Sequence, residues 1–346
     1  MNFSEPEFSR KAVTSAGSVL INSASYSATD RAKAWTVLGN WRASHVYPMN
    51  TFNATLRQKI RTIDADAIVA QRLKRVPSIL AKLERFDGMQ LARMQDIGGL
   101  RAIVTSMPKL YALEAAYGRA RFAHQLVRQD DYVKSPKRDG YRGIHLIYRY
   151  RSQSDAGRPF DGLCLEVQMR TRLQHAWATT VETMGTFVGQ ALKSGQGDQA
   201  WQDFFSLAAA TLAIEERAAP VPGYENYSDE DLVKALASSE QSMSAIEKMQ
   251  GFAIASNHIT SNPGKGSYHL VILDSEQRNV SIRAFPQSNL MEAQAEYSGV
   301  ERRTLAGEKI EAVLVSAGRL DALKKAYPNY FLDTRLFVNR LKKLIT

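Results

Sequence analysis

Cysteine is almost absent from this chain, since Cys164 is the only one among 346 residues. A single thiol excludes a framework of disulfides within the chain, and it excludes a zinc site built from several cysteines. No apolar run approaches the roughly 20 residues that a membrane-spanning helix needs. The first residues, MNFSEPEFSRKAV, contain acids and lack the apolar centre of a secretory signal. We therefore expect a cytoplasmic protein with no membrane partner.

The common glycine-rich signatures of nucleotide binding are also missing. The chain contains neither a GxxxxGK[ST] loop nor a GxGxxG turn. Internal repeats and low-complexity tracts are absent as well. If the protein binds phosphate groups, side chains must therefore hold most of them.

Basic residues outnumber acidic ones, 45 against 35, which gives a net charge of +10 at pH 7. Such an excess favours a polyanionic partner, namely a nucleic acid, a nucleotide or an anionic membrane surface. The alternative is a basic surface that serves solubility alone. Many of the basic residues fall in loops beside turn residues, which favours a phosphate-bearing partner.

Apolar spacing predicts helices in the first part of the chain. Residues 1–60 are expected to be mostly helical, with a break at Pro48. Residues 66–91 are expected to form two helical stretches separated at Pro77, a residue suited to the first turn of the second stretch.

The middle of the chain combines strands with helices. The predicted strands are residues 100–104, 144–150 and 163–171. In the third strand, the period of two places Glu166, Gln168 and Arg170 on one face. This pattern predicts an α+β fold with a mixed β-sheet flanked by helices.

Residues 218–232 are the best candidate for a linker. Two prolines, a glycine and a change of charge interrupt a long helical region there. Beyond this point the pattern restarts as helix, two strands, helix, strand and a basic helical end. We therefore expect an N-terminal domain at residues 1–217 and a second, small α+β domain at residues 233–346.

Asp96 and Glu166 are carboxylates beside or within strands that are otherwise rich in apolar residues. A carboxylate in such a place is costly unless it is paired or binds a metal. Glu166 could form a salt bridge with Arg170 on the same strand face. If the two strands are neighbours, both acids could share one Mg²⁺, which takes one or two carboxylates together with substrate phosphates.

A set of basic and hydroxyl side chains surrounds the first of these acids in sequence. The set is Arg72, Lys74, Ser78, Lys82 and Arg101. Long cations and a hydroxyl near a helix start can hold phosphates, although spacing alone favours a solvated helical face. Arg72 and Arg101 could also stack on an aromatic base.

The stretch DYVKSPKRDGYRGIHLIYRY joins a basic loop to a strand. Lys137 supplies charge, and glycines on both sides of Tyr141 permit close approach of the backbone. Nothing obvious in the sequence would bury Tyr141, so it could stack on a base or fold over the surface. His145 is either a satisfied buried histidine or part of a binding site.

Taken in order, these motifs resemble the synthetase domain of the RelA/SpoT alarmone family over about residues 65–185. The motifs are Arg72-x-Lys74…Ser78…Lys82, Asp96-x4-Arg101, Pro136-Lys137-x-x-Gly140-Tyr141-x-x-x-His145 and Glu166-Val167-Gln168-Met169-Arg170-Thr171. Four separated motifs in order make the resemblance specific. It implies a nucleotidyltransferase-like fold that moves the β,γ-diphosphate of ATP onto a ribose hydroxyl.

The resemblance also implies how ATP would be bound. Arg72 and Arg101 would lie on the two faces of the adenine. The phosphates would be held by Lys74, Ser78 and Lys82.

The remaining implied roles concern catalysis and the acceptor. Asp96 and Glu166 would hold Mg²⁺, with Glu166 also able to take the proton of the acceptor. Tyr141 would complete the catalytic group by stacking on the acceptor base. The implied acceptor-binding residues are Lys137, Tyr141, His145, Gln168 and Arg170. One departure is Asp139, where the larger alarmone synthetases usually have Asn, and it leaves the identity of the acceptor open.

Near the C-terminus, AYPNYFLDTRLF contains Tyr327 and Tyr330, which by pattern alone could anchor the last helix. The whole layout resembles toxin–antitoxin fusions of the CapRel type, whose C-terminal pseudo-zinc-finger domain ends in Tyr-x-x-Tyr. This resemblance implies that Tyr327 and Tyr330 dock in the adenine site and block ATP. Tyr224 and Tyr227 form another such pair, but linker tyrosines are less easily held rigid.

Together the resemblances imply an autoinhibited toxin of antiphage defence. Its pyrophosphokinase domain would modify the 3′ end of tRNA and stop translation once a phage structural protein, such as a capsid protein, binds the C-terminal antitoxin domain. The first alternative is a small alarmone synthetase acting on free GDP, GTP or AMP. The second is a catalytically inactive module that senses nucleotides or phage proteins.

Overall fold

The computed structural model describes residues 3–119, 123–188, 199–254, 268–274, 276–277, 279–316 and 334–345. The helices of these residues are α1 (Arg10–Ile21), α2 (Ala28–Ser44), α3 (Val46–Ile63), α4 (Val76–Arg85), α5 (Met107–Gly118), α6 (Arg172–Val188), α7 (Gln199–Glu215), α8 (Asp229–Met243), α9 (Ala245–Ile254), α10 (Leu290–Leu305) and α11 (Arg335–Ile345). The strands are β1 (Ile68–Leu73), β2 (Gly98–Val104), β3 (Gln125–Asp131), β4 (Ile144–Arg149), β5 (Cys164–Thr171), β6 (Tyr268–Asp274), β7 (Asn279–Phe285) and β8 (Ile310–Ser316).

The first 60 residues are mostly helical, as predicted, but the predicted break at Pro48 is wrong. The chain leaves α2 at Ser44 and enters α3 at Val46, with His45 between the two helices. Pro48 lies in the first turn of α3, where a missing backbone N–H leaves no helical hydrogen bond unmade.

The described strands form one eight-stranded sheet with the order β3-β4-β5-β2-β1-β8-β6-β7. β2 and β5 run parallel, and the other registered neighbours run antiparallel. With helices packed on this sheet, the fold is α+β with a mixed sheet, as the sequence predicts.

The strand β1 overturns a helical prediction. It occupies most of the first stretch that was expected to be helical, and only the second stretch forms a helix, α4. The β-branched residues Ile68 and Val69 open the segment. Burial alternates from Gln71 onward, because Gln71 and Leu73 are buried while Arg72 between them is only half-buried. This period of two is that of a strand with one polar face.

One face of the sheet carries the main hydrophobic core. Residues of every described strand except β3, such as Leu100 on β2 and Val167 on β5, pack there against α1 to α5 and against α10. A second hydrophobic cluster joins α6, α7, α8, α9 and α11, and it includes Tyr141. Among the described residues, no helix is both long and apolar enough to cross a membrane.

The C-terminal strands extend the sheet of the N-terminal strands. β8 pairs with β6 along its whole length, and it also meets β1 at the pair Arg72 and Val315. The predicted linker lies mostly between the end of α7 at Glu215 and the start of α8 at Asp229. The sheet therefore continues across the predicted boundary, and the division into residues 1–217 and 233–346 stays a prediction.

Candidate active site

Polar side chains gather on the sheet face opposite the main core. Gln168 of β5 is paired with His145 of β4 on one side and with Arg101 of β2 on the other. Glu166 is paired in the same way with Gly99 of β2. Directly paired residues point to the same face of a sheet. The predicted placement of Glu166, Gln168 and Arg170 on one face is therefore confirmed.

Asp96 is held by two lysines. One of its carboxylate oxygens lies 2.9 Å from Lys74 Nζ and the other lies 3.0 Å from Lys82 Nζ. Lys74 directly follows β1, Lys82 lies in the last turn of α4, and Asp96 precedes β2. Burial by itself favours the neutral carboxyl, but the two ammonium groups outweigh it and lower the pKa of Asp96.

Five side chains form a closed ring of hydrogen bonds, which we call the polar ring. Arg170 donates to the Tyr141 hydroxyl oxygen at 2.6 Å and to Gln168 Oε1 at 3.1 Å. Gln168 donates to Glu166 Oε2 at 2.7 Å, and His145 Nδ1 lies 2.8 Å from Glu166 Oε1. The contact between the Tyr141 hydroxyl and His145 Nε2 closes the ring. Four of the five predicted acceptor-binding residues and one predicted metal ligand therefore share one network.

The order of donors and acceptors in the polar ring follows from the carboxylate. An ionised Glu166 can only accept, so His145 Nδ1 carries a proton and donates it to that carboxylate. His145 Nε2 lies at the Tyr141 hydroxyl, whose oxygen accepts from Arg170. Each of the five side chains therefore contacts two others.

The polar ring also fixes the charge of Glu166. Burial alone would favour the neutral acid, but attraction to His145 and hydrogen bonds from His145 and Gln168 outweigh it. Together they lower the pKa of Glu166 to about 2. At neutral pH, Glu166 in the polar ring is a fixed negative charge and a weak base.

Asp96 and Glu166 are close enough to influence each other. The charge of Glu166 opposes the lowering of the Asp96 pKa, and Lys74 attracts both carboxylates. Oxygen ligands of this kind suit Mg²⁺, which needs only one or two carboxylates when substrate phosphates complete its coordination. No cluster of three or more His, Cys, Asp or Glu among the described residues is arranged to hold a metal. The two predicted ligands therefore fit an ion that the substrate helps to bind.

Tyr141 is buried, contrary to the expectation that nothing would cover it. Only 6% of its surface is exposed, and it packs in the second hydrophobic cluster. The Arg170 guanidinium carbon lies 4.9 Å from its ring centroid, and the exposed Lys137 places Nζ 5.1 Å from it. Stacking of a base on Tyr141 stays a prediction, and it would require the base to enter this packed environment.

The loop that carries Tyr141 is anchored on α7. Gly140 has a φ of +92°, and a Cβ at this position would lie 2.4 Å from the Cβ of Ala209. Ser206 donates a hydrogen bond to the Arg138 carbonyl at 3.0 Å. The Asp139 carboxylate accepts the Tyr141 amide at 2.9 Å. Glycine is therefore required at 140 for both conformation and space, and Asp139 holds the turn.

Sequence reasoning missed two residues beside the polar ring. The Tyr132 ring lies edge-on to Tyr141 and to His145, with centroids 5.7 and 5.3 Å apart. Glu216 forms a buried ion pair with Arg142 at 2.6 Å and also contacts Thr171. Arg142 and Glu216 are 74 residues apart in the chain, and no local pattern links them.

The structure describes some of the other predicted site residues, and the rest lie outside the described part of the chain. Arg72 and Arg101 lie on the sheet face of Glu166, and Ser78 lies in the first turn of α4. The predicted inhibitory residues Tyr327 and Tyr330 fall outside the described residues. The other Tyr-x-x-Tyr pair, Tyr224 and Tyr227, lines a cavity of about 570 Å³ beside Asp139. The ring centroids of these two tyrosines are 5.6 Å apart.

The site lies inside a recognisable family region. Residues 71–185 match the family model described as "Region found in RelA / SpoT proteins". The chain is 34% identical to GTP pyrophosphokinase YjbM of Bacillus subtilis over 114 residues, which are 32% of this chain and 52% of that protein. It is 30% identical to a GTP pyrophosphokinase of Haemophilus influenzae over 121 residues, 35% of this chain and 14% of that protein. The chain thus spans about half the length of the first relative.

Solved structures are also similar to part of the chain. Small alarmone synthetase 1 of Bacillus subtilis, bound to its product pppGpp, is 26% identical to it. The match covers 43% of this chain and 73% of that one, with a TM-score of 0.37.

Proposed function

We propose that this protein is an ATP-dependent pyrophosphokinase that moves the β,γ-diphosphate of ATP onto a ribose hydroxyl. The observation that carries this proposal is the cluster of Lys74, Lys82 and Asp96 beside Glu166, inside the region that matches RelA/SpoT proteins. Transfer of a phosphorus centre depends on positioning and on neutralising charge more than on covalent catalysis. A pair of lysines next to two carboxylates suits that demand.

In the proposed reaction, an acceptor oxygen attacks the β-phosphorus of ATP. The bond from that phosphorus to the oxygen bridging to the α-phosphate breaks, AMP leaves, and the hydroxyl proton is released. Lys74 and Lys82 exchange Asp96 for the phosphates, with Ser78 beside them at the start of α4. Mg²⁺ held by Asp96 and Glu166 would supply further positive charge at the phosphates when bound.

Glu166 changes character when the acceptor binds. In the polar ring its pKa is about 2, so it is a poor base at neutral pH. An acceptor phosphate that draws His145 away would remove the attraction that lowers this pKa. Its pKa would then rise towards the ordinary value, and Glu166 could take the proton of the attacking hydroxyl.

Two classes of acceptor are supported by different observations. The names of the relatives favour a free guanosine nucleotide, GDP or GTP, as the acceptor. The net charge of +10 favours a larger polyanion, and the 3′ terminal adenosine of tRNA presents the same ribose hydroxyl. We put the free nucleotide first, because the matching region is the one shared with proteins named for it.

ATP labelled at the β-phosphate separates these possibilities. The full chain is incubated with this ATP and with GDP, GTP, AMP or tRNA, and label on the acceptor is measured together with AMP. Label on a guanosine nucleotide supports the first acceptor, and label on tRNA alone supports the second. If the wild type transfers no label to any acceptor, and if Asp96→Asn and Glu166→Gln give the same result, the pyrophosphokinase proposal fails. The chain would then be a nucleotide-sensing module.

We also propose that the C-terminal region restrains the enzyme as an antitoxin, and that a phage structural protein releases it. This proposal comes from the Tyr-x-x-Tyr pattern of Tyr327 and Tyr330 and from the CapRel-type layout. Changing both tyrosines to alanine should make the chain toxic in cells without a trigger. The matched change of Tyr224 and Tyr227 to alanine should not. A harmless, well-folded Tyr327 and Tyr330 variant would contradict the restraint.

A further inference from the structure

Glu301 of α10 connects the C-terminal region to the start of α4. Its side chain is almost fully buried, and its two oxygens lie 2.7 and 3.3 Å from the two terminal nitrogens of Arg42. Glu301 Oε1, the oxygen that lies 3.3 Å from Arg42, also accepts a hydrogen bond from the backbone N–H of Val76 at 2.6 Å. A residue of the C-terminal region therefore contacts the first residue of the helix that carries Ser78 and Lys82.

The start of α4 depends on this contact. Helices leave their first backbone N–H groups without partners inside the helix, and a capping side chain usually binds them. Arg75, at the N-cap position, makes no such bond, and Pro77 has no N–H to offer. The Glu301 carboxylate binds the Val76 N–H instead, where negative charge also suits the helix dipole.

Arg42 extends the same contact to the preceding residue. Its Nε donates to the Lys74 carbonyl at 3.1 Å, while its terminal nitrogens bind Glu301. Lys74 reaches Asp96 through its side chain, and Lys82 reaches Asp96 from the other end of α4. The buried pair of Arg42 and Glu301 thus fixes the backbone between the two lysines that face the proposed ATP phosphates.

We propose that Glu301 is a positioning residue for the phosphate-binding segment 74–82, acting through Arg42 and through the cap on Val76. A shift of α10 would then alter ATP affinity without any residue of the C-terminal region touching ATP. This inference rests on the proposed function for its consequence, and on the three contacts of Glu301 for its geometry.

The test must separate positioning from a structural ion pair. Replacing both members of a buried pair by apolar side chains often preserves stability, whereas removing one member leaves an uncompensated charge. The central variant is therefore Arg42→Met with Glu301→Leu, and the second is Glu301→Gln. The control is Glu292→Ala, which changes an exposed glutamate on the same helix, α10. Glu292 lies 4.0 Å from Arg283 and accepts a hydrogen bond from the Asn289 side chain.

Two measurements are made on the full chain: amide hydrogen exchange of the segment 74–82 without ligand, and the affinity for a non-hydrolysable ATP analogue by calorimetry. In the double variant we expect an unfolding temperature near that of the wild type. Amide hydrogen exchange of residues 74–82 should be faster by about fivefold, which corresponds to the free energy usually lost with a helix cap. ATP affinity should fall by a similar factor, again about fivefold. Exchange in β5 and the behaviour of Glu292→Ala should stay unchanged.

Unchanged exchange and unchanged ATP affinity in the folded double variant would overturn the inference, leaving Arg42 and Glu301 as a structural pair only. If the double variant does not fold, Glu301→Gln decides by the same two measurements, because it keeps one acceptor for Val76 and lacks the charge. A wild type that does not bind the ATP analogue would contradict the proposed function, while the exchange of residues 74–82 would still decide the positioning role.

Discussion

The polar ring gives each of its side chains two partners in a partly buried place. Arg170 is 2% exposed and Tyr141 is 6% exposed, so water cannot easily replace a lost partner for either. A buried polar group without its partner costs more than an average hydrogen bond contributes, and linked hydrogen bonds reinforce one another. The ring therefore stabilises the fold and, at the same time, keeps Glu166 ionised and oriented.

Tyr141→Phe removes one hydroxyl from the polar ring and keeps the aromatic packing. We expect the free energy of unfolding to fall by about 1–3 kcal/mol, because Arg170 and His145 each lose a buried partner. Urea denaturation measures this change. Tyr132→Phe is the control, since the Tyr132 ring lies edge-on to Tyr141 and His145 and its hydroxyl hydrogen-bonds to Asp130, outside the polar ring. Equal losses of unfolding free energy in both variants would show that closing the polar ring adds no stability.

The lowered pKa of Glu166 predicts how stability depends on pH. The pKa of Glu166 has an ordinary value of 4.5 and is lowered to about 2 in the folded state. The folded state therefore favours the ionised carboxylate more strongly than the unfolded state does. The stabilisation is complete above the ordinary value and is lost as pH falls towards 2. The difference in unfolding free energy between the wild type and Glu166→Gln should therefore shrink between pH 6 and pH 3. A difference that stays constant over this range would contradict the prediction.

At the scale of elements, the sequence predicts some strands of the candidate site and misses others. The strands with Arg101, His145 and Glu166 were predicted, because their alternating apolar residues face a core. The sequence predicts a helix where β1 lies, because the polar residues Gln71 and Arg72 hide the alternation of a strand. Gln71 is buried, and its side chain forms hydrogen bonds with side chains of α3. The exposed edge strand β3 was missed, because it has no buried face to impose a pattern.

The loop between β3 and β4 depends on glycine at position 140. Gly140→Ala should destabilise the protein by more than about 1 kcal/mol, because it adds steric overlap with Ala209 to the strain of a positive φ. Gly88→Ala is the matched control, since Gly88 also has a positive φ but no atom within 4 Å of the added Cβ. Thermal unfolding measures both. Equal shifts for the two variants would argue against close packing of the loop on α7.

At the scale of the whole molecule, the sheet and the second hydrophobic cluster both join the two ends of the sequence. β8 reaches β1 at Arg72, and α11 packs with α6, α8 and α9. A boundary near residues 218–232 therefore separates segments of sequence that share a sheet and a core. Sequence patterns could not predict this, because pairing between strands at opposite ends of the chain leaves no local signal.

Shared packing predicts one cooperative unfolding transition. All four tryptophans, Trp35, Trp41, Trp177 and Trp201, precede the predicted linker. Their fluorescence therefore reports on the N-terminal part, whereas hydrogen exchange of residues 268–316 reports on the C-terminal strands and α10. The two probes should give the same denaturation midpoint. Two separated midpoints would instead favour independent domains at 1–217 and 233–346.

The contact between Glu301 and Val76 also has a consequence for biosynthesis. The two residues are 225 positions apart, so a ribosome completes α4 long before it makes the side chain that caps it. A growing chain accordingly has Lys74 and Lys82 without their final backbone geometry, and β1 still has an open edge. The proposed ATP site is completed only when α10 and β8 have emerged. The order of translation thus places completion of the proposed ATP site after α10 and β8, but before the proposed restraining residues Tyr327 and Tyr330.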